Sequence, residues 1–196
     1  MITKLATSMM LISSILPGMS VSTPDENATV FVAHHAAKHT RFGDTKAAEP
    51  YTGEIATRSG NHSIVQQEPI YFSSDSIDKR TDPVAIQIHR AVKNHKTIVD
   101  IHGMDNSHGA DVIIGTGKAM TDTEKEIVDK IVSGFQSYGI SVKVNTGEFN
   151  ATTPWTVSGY AESKDKNNSV VQVELSENIR THRLDECVSV LSQAVR

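Results

Sequence analysis

The sequence predicts an α/β fold: three layers, αβα, around a mixed and mostly parallel sheet. Three observations carry this. Short β-branched apolar runs alternate with stretches of helical periodicity along the chain, as in a sheet covered on both faces. The length of 196 residues allows one substantial core and hence a single domain. The content of 38% hydrophobic and 21% charged residues is that of a globular chain rather than a disordered one.

The elements follow in order. Residues 1–22 read as a signal peptide. Lys4 supplies the positive start, residues 5–16 are largely apolar, and Pro17-Gly18-Met19-Ser20 breaks the run. That run is too short for a stable transmembrane span, so a secreted or extracytoplasmic chain with a domain over 27–196 is expected. Residues 29–33 form the first strand. Residues 49–59 have a helix-start composition, with Pro50 in the first turn. Residues 64–72 are a weaker extended segment, and 83–94 a helix with Val84, Ile88 and Val92 at fourfold spacing. Strands are expected at 97–101 and at 111–114, the latter stopping at Gly115-Thr116-Gly117. Thr121 and Glu124 form a capping-box pattern that opens a long helix closed by Gly139. Ile127, Val128, Ile131, Val132 and Phe135 line its apolar face. Strands at 140–144 and 170–175 and a helix at 184–195 complete the pattern, while 147–168 reads as a polar loop carrying Trp155.

Composition excludes several classes. A net charge of -4 without a basic cluster predicts no nucleic-acid partner. The single cysteine, Cys187, rules out an internal disulfide framework and a Cys-rich zinc site, and its helical context suits a packing thiol. Asn27, Asn61, Asn150 and Asn167 begin Asn-x-Ser/Thr sequons, which matter only in a eukaryotic secretory pathway.

The chemistry sits at strand ends. The first strand runs into His34-His35 and the second into His102-Gly103, and ligands of such sheets bind beyond the carboxyl ends of the strands. Two histidines and a carboxylate are a common ligand set for catalytic zinc. Adjacent residues in extended backbone point to opposite sides, so only one of His34 and His35 is expected to be a ligand. Asp100 shares a strand face with His102 and is placed to orient it. Glu174 stands between Val173 and Leu175, where an ionised carboxylate is costly unless paired. Beside a metal site it suits a general base, with Gln172 on the same face. Glu49 and Glu54 both fall in the helix-start segment. The remaining histidines, 39, 62, 89, 95, 108 and 182, are expected at the surface.

These residues carry a resemblance. Glu49-Pro50-Tyr51-Thr52-Gly53-Glu54-Ile55-Ala56, preceded by a strand-end His-Ala-Ala, is similar to the metal-binding segment of phage poly-γ-glutamate hydrolases. Asp100-Ile101-His102-Gly103, Asp111-Val112-Ile113-Ile114-Gly115-Thr116-Gly117 and Gln172-Val173-Glu174-Leu175-Ser176 resemble segments of N-formylglutamate amidohydrolases and their relatives. Both groups have the zinc carboxypeptidase-like αβα fold, and the resemblance spans residues 29–183. It implies Zn2+ held by His35, Glu49 and His102, with Glu174 as catalytic base. His35 takes precedence over His34 because the family's histidine follows the strand after one further residue. Two departures stand out: residues 36–48 intervene between histidine and glutamate, and Ala36-Ala37 replace the usual glycines. Glu54 therefore remains a rival to Glu49. The implied activity is zinc-dependent hydrolysis of an amide in a γ-linked or N-acylated glutamate substrate. Arg41 and Arg180 are candidates to hold a substrate carboxylate, and Thr116 to line the pocket. The alternatives are a carboxypeptidase or cell-wall peptide amidase, or a non-catalytic secreted binding protein on the same scaffold.

Overall fold

The computed structural model describes residues 29–41 and 43–196. The expected export signal lies outside the described residues. Six strands form the main sheet in the order β4-β1-β6-β9-β7-β8: β4 (Ser63–Val65), β1 (Val30–Ala33), β6 (Ile98–Met104), β9 (Val170–Ser176), β7 (Val112–Gly115) and β8 (Val142–Val144). The first four are mutually parallel. β7 pairs antiparallel with β9, and β8 runs with β7.

Alternation along the strands sorts the side chains onto two faces. One face carries Phe31, Val99, Ile101, Val171, Val173 and Leu175. It packs against α1 (Thr52–Ser59), α3 (Asp122–Ser137), α5 (Glu177–His182) and α6 (Leu184–Ala194). On the other face, Val30, Val32, Ile98 and Val170 pack against α2 (Pro83–Lys93) and α4 (Val157–Lys164). This is the three-layer fold expected. The second face is apolar only in its lower half. Toward the carboxyl ends of β6 and β9 it turns polar, with Asp100 opposite Gln172 and His102 opposite Glu174. Burying four polar side chains on a sheet is costly unless they are paired, so this half marks a site.

Local chemistry explains the long helices. The Thr121 side chain accepts from the Glu124 N–H while Glu124 accepts from the Thr121 N–H, closing the expected capping box. Glu124 also accepts from the Val170 N–H and so ties the helix start to β9. Asp82 caps α2 ahead of Pro83. Cys187 is fully buried between helix and sheet, a packing thiol as expected. Among the described residues, no helix is long and apolar enough to cross a membrane.

Three segments depart from expectation. The polar stretch 147–168 contains α4, whose short VSGYAESK sequence has an interior glycine and little amphipathic pattern but a Thr156 cap. α5 is a six-residue helix capped by Ser176. Residues 36–48, read as a gap, build β2 (His39–Arg41) and β3 (Asp44–Lys46), which join β5 (Ile70–Tyr71) in a separate three-stranded sheet.

Candidate metal centre

β1 ends at Ala33, and His34 and His35 lie in the turn that follows. The expectation that they point apart presumed extended backbone. The turn instead brings both rings to one place, with centroids 4.1 Å apart and 4.9 and 4.8 Å from the His102 ring. The inserted residues 36–48 leave from and return to the same point, because the Glu49 N–H donates to the His35 carbonyl at 3.0 Å. The chain then turns into α1 through Tyr51, whose left-handed backbone (φ 68°) is uncommon for a bulky residue.

Glu49 lies between the two histidines. Its Oε1 is 3.2 Å from His35 Nδ1 and its Oε2 is 3.5 Å from His102 Nδ1, while the Gly103 N–H donates to Oε2 at 2.9 Å. Burial works to raise the Glu49 carboxyl, but the two histidines outweigh it and hold it well below the usual carboxylate range. His102 donates from Nε2 to Asp100 Oδ2 at 3.0 Å, which fixes its tautomer and turns Nδ1 toward Glu49. Burial lowers His102, but Asp100, Glu174 and Glu49 overcome this and raise it well above the ordinary imidazole value.

This donor set fits zinc. Ligands at about 2.0–2.2 Å from a tetrahedral ion stand roughly 3.3–3.5 Å from one another, and the Glu49 oxygens meet both imidazole nitrogens at such separations. A second grouping, His34 with His35 and His102, brings one donor atom from each ring within 4.8 Å of the others and could also hold a metal ion. His34 is fully enclosed, with Nδ1 3.7 Å from Asp100 Oδ1. Burial, then the neighbouring positive groups, push it well below its ordinary value and keep it neutral. His35, Glu49 and His102 thus come together as the resemblance implied. Glu54 does not join them, because it lies on the outer side of α1, paired with Arg58 at 3.1 Å.

Glu174 lies directly across the strand pair from His102 and is 7% exposed. Gln172 Nε2 donates to its Oε1 at 3.0 Å. Burial pushes its carboxyl up to about 7, against the opposing pull of His102. The site thus holds a carboxylate poised for proton transfer beside two imidazoles and a second, ionised carboxylate.

The substrate-side residues fare differently. Arg180 lies beside the ligands but reaches no open space. Its Nε, Nη1 and Nη2 donate to the carbonyls of Leu175, Pro50 and Met104 at 3.0, 2.9 and 3.1 Å. It clamps the three segments carrying Glu174, Glu49 and His102, and any side chain at Gly103 would collide with its guanidinium. The expected carboxylate-binding role gives way to a scaffold role. Arg180→Ala is therefore expected to destabilise the fold by about 3 kcal/mol, since two buried carbonyls and a partly buried one lose a charged donor. Urea unfolding of the metal-free protein measures this.

Thr116 is also misplaced by the expectation, which presumed β7 parallel to its neighbour. Because β7 runs antiparallel to β9, Gly115 pairs with Gln172, and Thr116 falls further from the site edge. It lies roughly 10 Å along the sheet from the level of Glu174, three residues at about 3.3 Å each. Its N–H donates to Asn145 Oδ1. Arg41 alternates onto the same face of β2 as His39, at the rim of the inserted sheet.

Three residues escaped sequence reasoning. His39, expected at the surface, is 3% exposed and stacks on His35 at 4.3 Å. His62 is likewise buried. Arg80 is buried, donates from Nε and Nη2 to Asp82, and lies with its guanidinium carbon 3.4 Å from the Phe72 ring centre. Phe72 in turn stacks on His39 at 4.8 Å. No hydrogen bond from Arg80 Nη1 occurs among the described residues. The only sequence signal for Arg80 was its position two residues before the helix cap Asp82.

Comparison with known proteins places the fold. No protein-family model matches the chain, and no curated protein matches it. Among solved structures, a bacteriophage poly-gamma-glutamate hydrolase aligns with a TM-score of 0.58 and 18% identity, covering 90% of this chain and 86% of the other. YndL in its zinc-free form aligns at 0.54 and 15% identity, covering 90% and 89%. The gene product Atu2144 from Agrobacterium tumefaciens aligns at 0.51 and 9% identity, covering 85% and 88%. The chain shares the three-layer αβα fold of these structures, with a mostly parallel sheet, as expected.

Proposed function

We propose that this protein is a zinc-dependent hydrolase that cleaves an amide bond of a γ-linked or N-acylated glutamate. The observation that carries the reading is that the Glu49 carboxylate reaches His35 at 3.2 Å and His102 at 3.5 Å, with Glu174 across the strand pair from His102. When bound there, zinc supplies a Lewis acid that polarises the scissile carbonyl and acidifies water. Asp100 holds His102 in the tautomer that presents Nδ1. Arg180 keeps the ligand-bearing segments in register. Glu174 removes the proton from the attacking water and delivers it to the leaving nitrogen, a role suited to a carboxyl held near neutrality by burial. Gln172 restrains one of its oxygens and leaves the other for the proton.

The substrate assignment draws on the named activity of the bacteriophage relative in fold. The functional test is one assay of the zinc-loaded protein against poly-γ-glutamate, N-acyl-glutamates and cell-wall peptides. Cleavage confined to the cell-wall peptides would replace this reading with the amidase alternative. Residues 1–22 are read as the export signal of this enzyme, and N-terminal sequencing of protein recovered outside the cell checks that reading.

A further inference from the structure

The two histidine ligands are held in different ways. His102 has the hydrogen bond that orients a metal-binding imidazole, from Nε2 to Asp100. His35 has none: among the described residues its only side-chain hydrogen-bond contact is Nδ1 with Glu49, at the ligand position itself. Its ring plane is nonetheless defined, because the His39 ring lies flat against it at 4.3 Å with 12° between planes. Phe72 lies beside both rings, 4.8 Å from His39 at 21° and 6.0 Å from His35 at 29°, and carries the Arg80 guanidinium on its own face. The cluster is fixed to the scaffold through β5. The Ile70 N–H donates to the Lys38 carbonyl and the Phe72 N–H to the Thr40 carbonyl. Gln66 anchors the start of the insertion through the carbonyls of Ala37 and Lys38.

Hydrogen bonding does not account for His39. Its Nδ1 meets the Ala37 carbonyl only at 3.4 Å, and its buried Nε2 has no partner among the described residues. The fold uses the flat face of the ring rather than its nitrogens. We infer that His39, brought in by the inserted hairpin of residues 36–48, is a positioning residue that sets the plane of His35 and so aims its Nδ1 at the metal position. This rests on the metal-centre reading above. The insertion thereby acquires a role in the site, because the stack does for His35 what the hydrogen bond to Asp100 does for His102.

The test is zinc affinity, measured by competition with a chromophoric chelator, for the wild type and for His39→Phe, His39→Leu and His39→Ala. Cobalt-substituted absorption spectra report ligand geometry alongside. Phenylalanine keeps the flat face and is expected to bind zinc within about twofold of wild type, whereas leucine and alanine weaken it by about tenfold or more and alter the cobalt spectrum. Leucine fills the space without a flat face, so it answers the question if the alanine variant does not fold. Wild-type affinity in the leucine and alanine variants would overturn the inference. So would a phenylalanine variant as weak as they are, because the nitrogens would then matter. A wild-type protein that takes up no zinc would instead bring down the metal-centre reading, and this inference with it.

Discussion

Glu174→Gln is expected to leave zinc bound and to reduce amide hydrolysis by about 10²–10⁴-fold, the usual worth of a general base. The substitution is conservative in shape: a glutamine at 174 still offers an oxygen to Gln172, whose Nε2 donates there at 3.0 Å. What is lost is the ability to take a proton. The same variant makes a second prediction through stability. Burial raises the Glu174 carboxyl from the ordinary 4.5 to about 7, so the folded protein holds this proton more tightly than the unfolded chain. The stability this group contributes is full below pH 4.5 and is lost as pH rises through about 7. At pH 8 the buried carboxylate costs up to about 3 kcal/mol in the metal-free protein. Metal-free Glu174→Gln is therefore expected to be more stable than wild type at pH 8, the advantage disappearing below about pH 4.5. Denaturant midpoints at the two pH values decide this. An equal difference at both would mean that Glu174 titrates normally and is not buried in the site.

His102→Ala is expected to abolish tight zinc binding. Zinc sites built from protein ligands carry apparent free energies of about 10–16 kcal/mol, so removing one of three ligands weakens affinity by roughly a thousandfold or more. Binding should also be coupled to protons. Burial alone would lower His102, but Asp100, Glu174 and Glu49 raise it well above the ordinary imidazole value. The ring therefore carries a proton at neutral pH, and zinc must displace it. Affinity is expected to fall about tenfold for each pH unit of acidification while one proton is released per ion. Calorimetry in buffers of different ionisation enthalpy reads the proton count directly. A count of zero at pH 7 would show that His102 is already neutral in the metal-free protein.

Much of this site was legible in the sequence because its residues lie in short, strongly patterned segments. His102 and Glu174 interrupt strands whose neighbours are all apolar, and a polar residue at a core position demands a reason. Asp100 was placed by the two-residue period of a strand alone. The third ligand was harder. Nothing in residues 36–48 shows that the chain returns to its starting point, since that depends on one backbone hydrogen bond from Glu49 to His35. Only the structure separates Glu49 from Glu54, by turning the latter outward to Arg58. The misreadings share a cause. Thr116 was misplaced because strand direction is a property of the assembled sheet, and β7 is reversed. Arg180 reads in sequence as a group for a substrate carboxylate because its three partners are backbone carbonyls, invisible to side-chain pattern. His39 and α4 escaped because three-residue strands and a small-residue helix leave too little periodicity to read.

The central claim is that His35, Glu49 and His102 form a zinc site served by Glu174. Calorimetric titration of zinc into the metal-stripped wild-type protein at pH 7.5 tests it most directly. The account predicts saturation at one ion per chain with submicromolar affinity, roughly −8 kcal/mol or tighter, and onset of amide hydrolysis in step with occupancy. Absence of saturable binding with these residues intact, or hydrolysis that does not follow occupancy, would contradict it.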